Sequence, residues 1–143
     1  MFMGEYSHSI DAKGRLIVPS KFRELLGEEF VLAKGQDGCL ALYPKAEWEH
    51  FLEKLQALPL VTNKKAREFT RQLASQAAFC ELDKQGRVLV PQKLRAAANL
   101  EKDVVLAGNI NKIEIWSQEK WDEISGLDMD ALSDELNQMG IEL

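Results

Sequence analysis

Apolar positions in this chain change period from segment to segment, and each change marks an element. Arg15–Val18 is a short β-branched run. Phe30–Lys34 and Cys39–Tyr43 read as two more strands, joined by the turn-forming Gly35-Gln36-Asp37-Gly38. Val104–Gly108 and Lys112–Trp116, turned by Asn109-Ile110-Asn111, have the same character. Leu16-Ile17-Val18 and Val88-Leu89-Val90 are apolar at consecutive positions, which predicts strands covered on both faces. Ahead of the first, Ile10-Asp11 leads into Lys13-Gly14. An Asp there can accept from turn amides and a Gly tolerates positive φ, so a hairpin is expected. Pro19 and Ser20 stop the strand and open a short helix, Lys21–Leu26, ended by Gly27; Pro91 and Gln92 do the same for Lys93–Ala98. In mid-chain the period lengthens. Trp48, Phe51, Leu52, Leu55 and Leu58 form a helical stripe closed by Pro59, and Asn63 caps a second helix whose apolar face is Ala66, Phe69, Leu73 and Ala77. Near the C-terminal end, Asp130–Gly140 is amphipathic, with Leu132, Leu136 and Met139 among acids.

The pattern occurs twice. Residues 11–23 lie over residues 83–95 with identity at Asp11/Asp83, Gly14/Gly86, Arg15/Arg87, Val18/Val90, Pro19/Pro91, Lys21/Lys93 and Arg23/Arg95. The match continues through Phe30–Ala33 over Val104–Ala107, Leu40–Tyr43 over Ile113–Trp116, and Trp48 over Trp121. A repeat fixes architecture. The chain divides into a first unit at 5–47, a helical linker at 48–76, a second unit at 77–120 and an acidic helical tail at 121–143. A unit of roughly 40 residues can hardly enclose a core alone. Two units packed about a pseudo-twofold axis would cover each other, so one β-rich domain of two intertwined halves is expected.

Charge first points away from nucleic acid: 18 Lys plus Arg against 23 Asp plus Glu give a net charge of −5. Segment by segment the balance reads differently. Lys13, Arg15, Lys21 and Arg23 outweigh Asp11 to give +3, and Lys84, Arg87, Lys93 and Arg95 outweigh Asp83 by the same amount. Residues 117–143 alone contribute −7, from eight acids and Lys120. Each repeated segment is therefore a small basic patch on an acidic chain. Cys39 and Cys80 are too few for a disulfide framework and read as reduced, buried thiols. The absence of an 18-residue apolar run, and the charges among the first twenty residues, predict a soluble cytoplasmic protein without membrane contact. No residue cluster implies a metal, a cofactor or a small-molecule substrate.

The string Asp-x-x-Gly-Arg, strand, Pro, short basic helix, taken with Met1-Phe2-x-Gly4-Glu5-Tyr6 ahead of it and Ile113-Glu114-Ile115-Trp116 later, resembles the MraZ family. These are bacterial regulators built from two AbrB-type swapped-hairpin units, and the resemblance covers roughly residues 1–125. It implies an α+β fold in which the two units intertwine into one pseudo-twofold, barrel-like domain with helices outside. It also implies a non-enzymatic transcription factor, usually a repressor of its own operon of division and cell-wall genes. Binding of repeated promoter sites as a ring-like homo-oligomer, in association with the nucleoid, is implied too. The family's Asp-x-x-x-Arg signature falls on Asp11 and Arg15 and on Asp83 and Arg87.

On this reading Lys13, Arg15, Lys21, Arg23, Lys84 and Arg87 face duplex DNA, and Asp11, Gly14, Asp83 and Gly86 shape the turns that hold them. An Asp would be repelled by phosphate, but one that orients a guanidinium leaves other N–H groups free for phosphate or for guanine O6 and N7. The same pair could instead simply lock the turn. Ala12-Lys13 becomes Lys84-Gln85 in the second copy, which favours the first as the DNA-facing one. Lys64, Lys65, Arg67 and Arg71 read as a solvated helix face, His8 as an interface or core residue, His50 as exposed, and Trp48 and Trp121 as core anchors. An enzyme built on His8, Asp11 and Ser7 or Ser9 finds no support, because adjacent strand residues point to opposite faces and no catalytic signature is present. The alternative is an assembly or adaptor protein that acts through protein contacts.

Overall fold

Each repeat contributes four strands and a short helix in the computed structural model, which describes residues 1–143. The first copy forms β1 (Glu5–Ser9), β2 (Arg15–Ile17), α1 (Ser20–Leu26), β3 (Glu29–Lys34) and β4 (Leu40–Pro44). Next come α2 (Lys45–Gln56) and α3 (Lys64–Ala74). The second copy forms β5 (Ala78–Glu81), β6 (Arg87–Leu89), α4 (Gln92–Ala97), β7 (Asp103–Asn109) and β8 (Lys112–Ser117), and α5 (Gln118–Ile124) and α6 (Met129–Gln138) follow. Caps explain several boundaries. Asn63 Oδ1 accepts from the Ala66 amide at 3.1 Å to start α3, and Ser117 Oγ accepts from the Lys120 amide at 3.1 Å to start α5. The helical tail expected from residue 121 thus begins slightly earlier, at Gln118, as a separate short helix around Trp121.

Two sheets form, and neither copy completes one alone. A six-stranded antiparallel sheet runs in the order β1-β7-β8-β4-β3-β5, while β2 and β6 pair only with each other. The order reads the same from either end once the copies are exchanged. Registers agree as well: His8 lies opposite Val104, and Cys80, which matches His8 in the repeat, lies opposite Phe30, which matches Val104. The first strand of each copy thus sits on the third strand of the other.

Three expectations need correction. The expected hairpin does not run on as a ladder: two backbone bonds, from the Asp11 amide to the Arg15 carbonyl at 3.0 Å and from the Gly14 amide to the Asp11 carbonyl at 2.9 Å, close the turn, after which β1 joins β7 and β2 joins β6. The sheet is not closed into a barrel either, because β2 and β6 are three residues long and leave it, so that it ends at β1 and β5. Nor are β2 and β6 covered on both faces. Leu16 and Val88 are fully buried, whereas Ile17 is 41% and Leu89 58% exposed.

The main core lies between the ribbon and the large sheet. Leu16, Val18, Val88 and Val90 meet alternate residues of the central strands, Phe30, Leu32, Leu40, Leu42, Val104, Leu106, Ile113 and Ile115, with Phe22 and Leu94 from α1 and α4. Strand residues of opposite parity serve the other face. Val31, Ala33, Ala41 and Tyr43 pack under Trp48, Leu55 and Leu73 of α2 and α3, while Cys39, Ala107 and Trp116 pack under Trp121 and Ile124 of α5. Trp48 is buried as expected, and Trp121 is half-buried against Trp116 at 6.3 Å between ring centroids. Cys39 is buried, which pushes its thiol up to about 12. Both cysteines are free thiols.

Candidate nucleic-acid interface

The site grows from two equivalent turns. At the first, Asp11 Oδ1 accepts from the amides of Lys13 (3.0 Å) and Arg15 (2.8 Å), and Oδ2 accepts from Arg15 Nε at 2.6 Å. Asp83 repeats this with the Gln85 and Arg87 amides at 2.9 Å and Arg87 Nε at 2.8 Å. The arginine amide, foremost among these partners, holds each carboxyl below its ordinary value of 3.8, so both are ionised at neutral pH. Gly14 and Gly86 donate back to the Asp11 and Asp83 carbonyls at 2.9 and 3.0 Å with φ of +87° and +76°, a conformation that excludes most side chains. With Nε fixed by the carboxylate, each guanidinium keeps its Nη groups for another partner.

The two turns are stapled to each other across the copies. Val18 donates to the Gly86 carbonyl at 2.9 Å and Val90 to the Gly14 carbonyl at 2.8 Å. Arg23 Nε donates to the Val18 carbonyl at 2.7 Å and its guanidinium lies over Gly86; Arg95 Nε donates to the Val90 carbonyl at 3.0 Å and lies over Gly14. Each turn is therefore capped by an arginine from the other copy's strand-to-helix corner. Arg23 is half-buried and already engaged, which sets it apart from the exposed Lys13, Lys21 and Lys84. Arg95 was not singled out from the sequence as a site residue, although its alignment with Arg23 carried the signal.

Between the turns, β2 and β6 place Arg15 opposite Leu89, Leu16 opposite Val88, and Ile17 opposite Arg87. The middle pair faces the core. The outer pairs set the two signature arginines on one exposed face, their side chains 35% and 24% accessible. Because the strands are antiparallel, the turn bearing Lys13 lies at one end of this face and the turn bearing Lys84 at the other. Both copies thus share one surface. Ile17 and Leu89 also belong to it, and sequence reasoning missed them by assigning both faces of the strands to the core.

Other candidates lie apart. Asp11 spends both oxygens on its own turn, and Ser9 Oγ meets Asp103 at 3.4 Å, so no relay with the half-buried His8 forms. On α3, Arg67 donates to the carbonyls of Leu60 and Val61 at 2.9 and 3.1 Å, and Lys64 pairs with Glu68 at 3.8 Å. No helix is long and apolar enough to cross a membrane.

Comparison with known proteins gives a consistent picture. A family model described as "MraZ protein, putative antitoxin-like" matches residues 1–72 and again 73–138. The transcriptional regulator MraZ of Lachnoclostridium phytofermentans is 55% identical over 141 residues, covering 99% of both chains. That of Clostridium beijerinckii is 51% identical over 143 residues, covering 99% of this chain and all of its own. That of Caldanaerobacter subterraneus subsp. tengcongensis is 55% identical over 125 residues, 87% of each chain.

Proposed function

Because the chain belongs to the MraZ family, as matches over both halves establish, we propose that it is a DNA-binding transcriptional regulator and not an enzyme. The exposed face of the β2–β6 ribbon is the surface that meets the duplex. One observation carries the assignment: two aspartate-held arginines, one from each copy, share that face between cationic turns. A two-stranded ribbon fits the major groove. From the turn at Gly14 to Val18 is four residues, roughly 13 Å, or about four base-pair steps.

Roles follow from position. Arg15 and Arg87 direct their free Nη groups to base edges or phosphate, Lys13 and Lys84 contact phosphate, and Lys21 reaches the backbone from α1. Arg23 acts mainly by holding the opposite turn. Units 5–47 and 77–120 form the two halves of the reading surface, while 48–76 and 121–143 are accessory helices. We further propose that the protein represses its own operon of division and cell-wall genes from the cytoplasm, associated with the nucleoid. It would do so as a ring-like homo-oligomer on evenly repeated promoter sites. The net charge of −5 supports assembly, since one protomer offers few phosphate contacts and a ring gathers many. Exposed Met129 and Leu132 on α6, with Met139 just beyond its end, supply apolar surface for contact between copies.

The test is binding of the DNA upstream of its own reading frame at graded salt. With roughly 6–10 phosphate contacts across the assembly, affinity should fall by about three to five decades between about 50 and 200 mM salt. Arg15→Ala should lose binding while the oligomer still forms on sizing. A flat salt response removes the electrostatic reading, and a variant that falls apart on sizing assigns Arg15 to turn locking alone.

A further inference from the structure

Two large aliphatic side chains stand on a face that is otherwise cationic. Ile17 and Leu89 are 41% and 58% exposed and occupy equivalent places in the two copies. Each lies directly across the ribbon from a signature arginine, Ile17 from Arg87 and Leu89 from Arg15. Their strand neighbours Leu16 and Val88 are fully buried, so the ribbon cannot turn to hide them. Isolated exposed aliphatics are ordinary on a protein surface. Here the exposure is duplicated, and both copies sit in the middle of the surface that would be desolvated on binding.

A partner for this face must offer negative charge and an apolar group within a few ångströms of each other. Major-groove base edges do so through one apolar group, the C5-methyl of thymine, beside the phosphates and the guanine acceptors that suit an arginine. The dimensions agree. Successive outward residues along β2 are about 6.7 Å apart, two base-pair steps, and diagonal cross-strand neighbours such as Ile17 and Leu89 are roughly 7–8 Å apart.

We propose that Ile17 and Leu89 are specificity-determining residues that read thymine methyl groups in the major groove, one from each half of the pseudo-twofold ribbon. The proposal rests on the DNA-binding assignment above. It adds that recognition has an apolar component placed symmetrically between the arginines, so A·T pairs flank the positions that Arg15 and Arg87 address.

Uracil tests this directly, because it keeps every donor and acceptor of thymine and removes only the methyl group. The full-length protein is titrated, at one salt concentration, with two duplexes of the DNA upstream of its own reading frame, one made with thymine throughout and one with uracil throughout. Wild type should bind the uracil duplex about fourfold more weakly for each methyl group that Ile17 or Leu89 no longer meets, on the order of tenfold in all. Ile17→Ala/Leu89→Ala, whose truncated side chains are exposed, should keep its melting temperature and bind the two duplexes equally. Equal binding by wild type overturns the proposal while leaving DNA binding intact. Discrimination that persists in the double variant overturns it too, by placing methyl recognition elsewhere. A double variant with unchanged DNA binding but an altered oligomer would make the aliphatic pair a protein contact. No binding of either duplex above competitor DNA, by contrast, defeats the DNA-binding assignment itself.

Discussion

The arginine from each copy that covers the other copy's turn makes a quantitative prediction about Gly86. A methyl group at residue 86 would sit 2.5 Å from Arg23 Cζ and 2.7 Å from its Nε and Nη1, closer than a Cβ can approach. The backbone there has φ of +76°, so any L side chain adds strain of about 1 kcal/mol. Relief requires Arg23 to swing out and release the Val18 carbonyl at 2.7 Å, a charged hydrogen bond worth about 2 kcal/mol. Gly86→Ala should therefore cost about 3 kcal/mol, a fall in Tm on the order of 10 °C. Arg23→Ala alone should cost about 2 kcal/mol, but it removes the three atoms nearest the methyl. The double variant should lose about 3 kcal/mol rather than the 5 expected of independent sites, a coupling of about 2 kcal/mol. Urea unfolding of the four proteins, at one concentration because the chain is proposed to self-associate, measures it. Additivity within about 0.5 kcal/mol would refute the stacking of Arg23 over Gly86. The pseudo-equivalent pair should behave differently. A methyl at Gly14 meets the Val90 carbonyl at 2.8 Å as well as Arg95, and removing the arginine does not move that backbone atom. Coupling between Gly14→Ala and Arg95→Ala should be smaller.

Two further outcomes follow from the same turns and the loop beyond them. Native Asp11 and Asp83 have lowered pKa values, so their contribution is complete above the ordinary 3.8 and is lost as pH falls through the native values. Urea midpoints of wild type and of Asp11→Asn/Asp83→Asn should therefore differ at neutral pH and converge below about 3.8, and a constant gap down to pH 2 would contradict the assignment. Ile110 turns β7 into β8 with φ of +66°, a strained setting for a β-branched residue, and its side chain is 60% exposed. Ile110→Gly should raise Tm by roughly 3 °C, since the backbone bonds to Phe2 need no side chain; an unchanged or lower Tm would show that the isoleucine packing outweighs the strain.

Much of this architecture was legible in advance because its signals are local. Asp11 and Gly14 dictate a turn through one side chain and one permissive backbone, Pro19 and Gly27 bracket α1, and Asn63 caps α3. Repetition of these marks at Asp83, Gly86 and Pro91 told that two units would cover each other, and segment charge told where an anion could be met. Helix α5 was harder to read, because its stability comes from packing Trp121 and Ile124 on Trp116 and not from a long amphipathic period.

What the sequence by itself determined about this protein is the inventory of turns, strands and caps, their duplication, and the residues each turn holds. Which strand pairs with which was decided only by tertiary structure. Turn chemistry fixes a reversal within a few residues, whereas β1 chooses β7 and β2 chooses β6 through burial of Leu16, Val18, Val88 and Val90 against a core drawn from both copies. That choice leaves Ile17 and Leu89 outside. It brings Arg15 and Arg87 onto one face, and it sets Arg23 and Arg95 over the opposite turns. Each of these depends on how the two copies meet, and only the packing of the two halves can specify it.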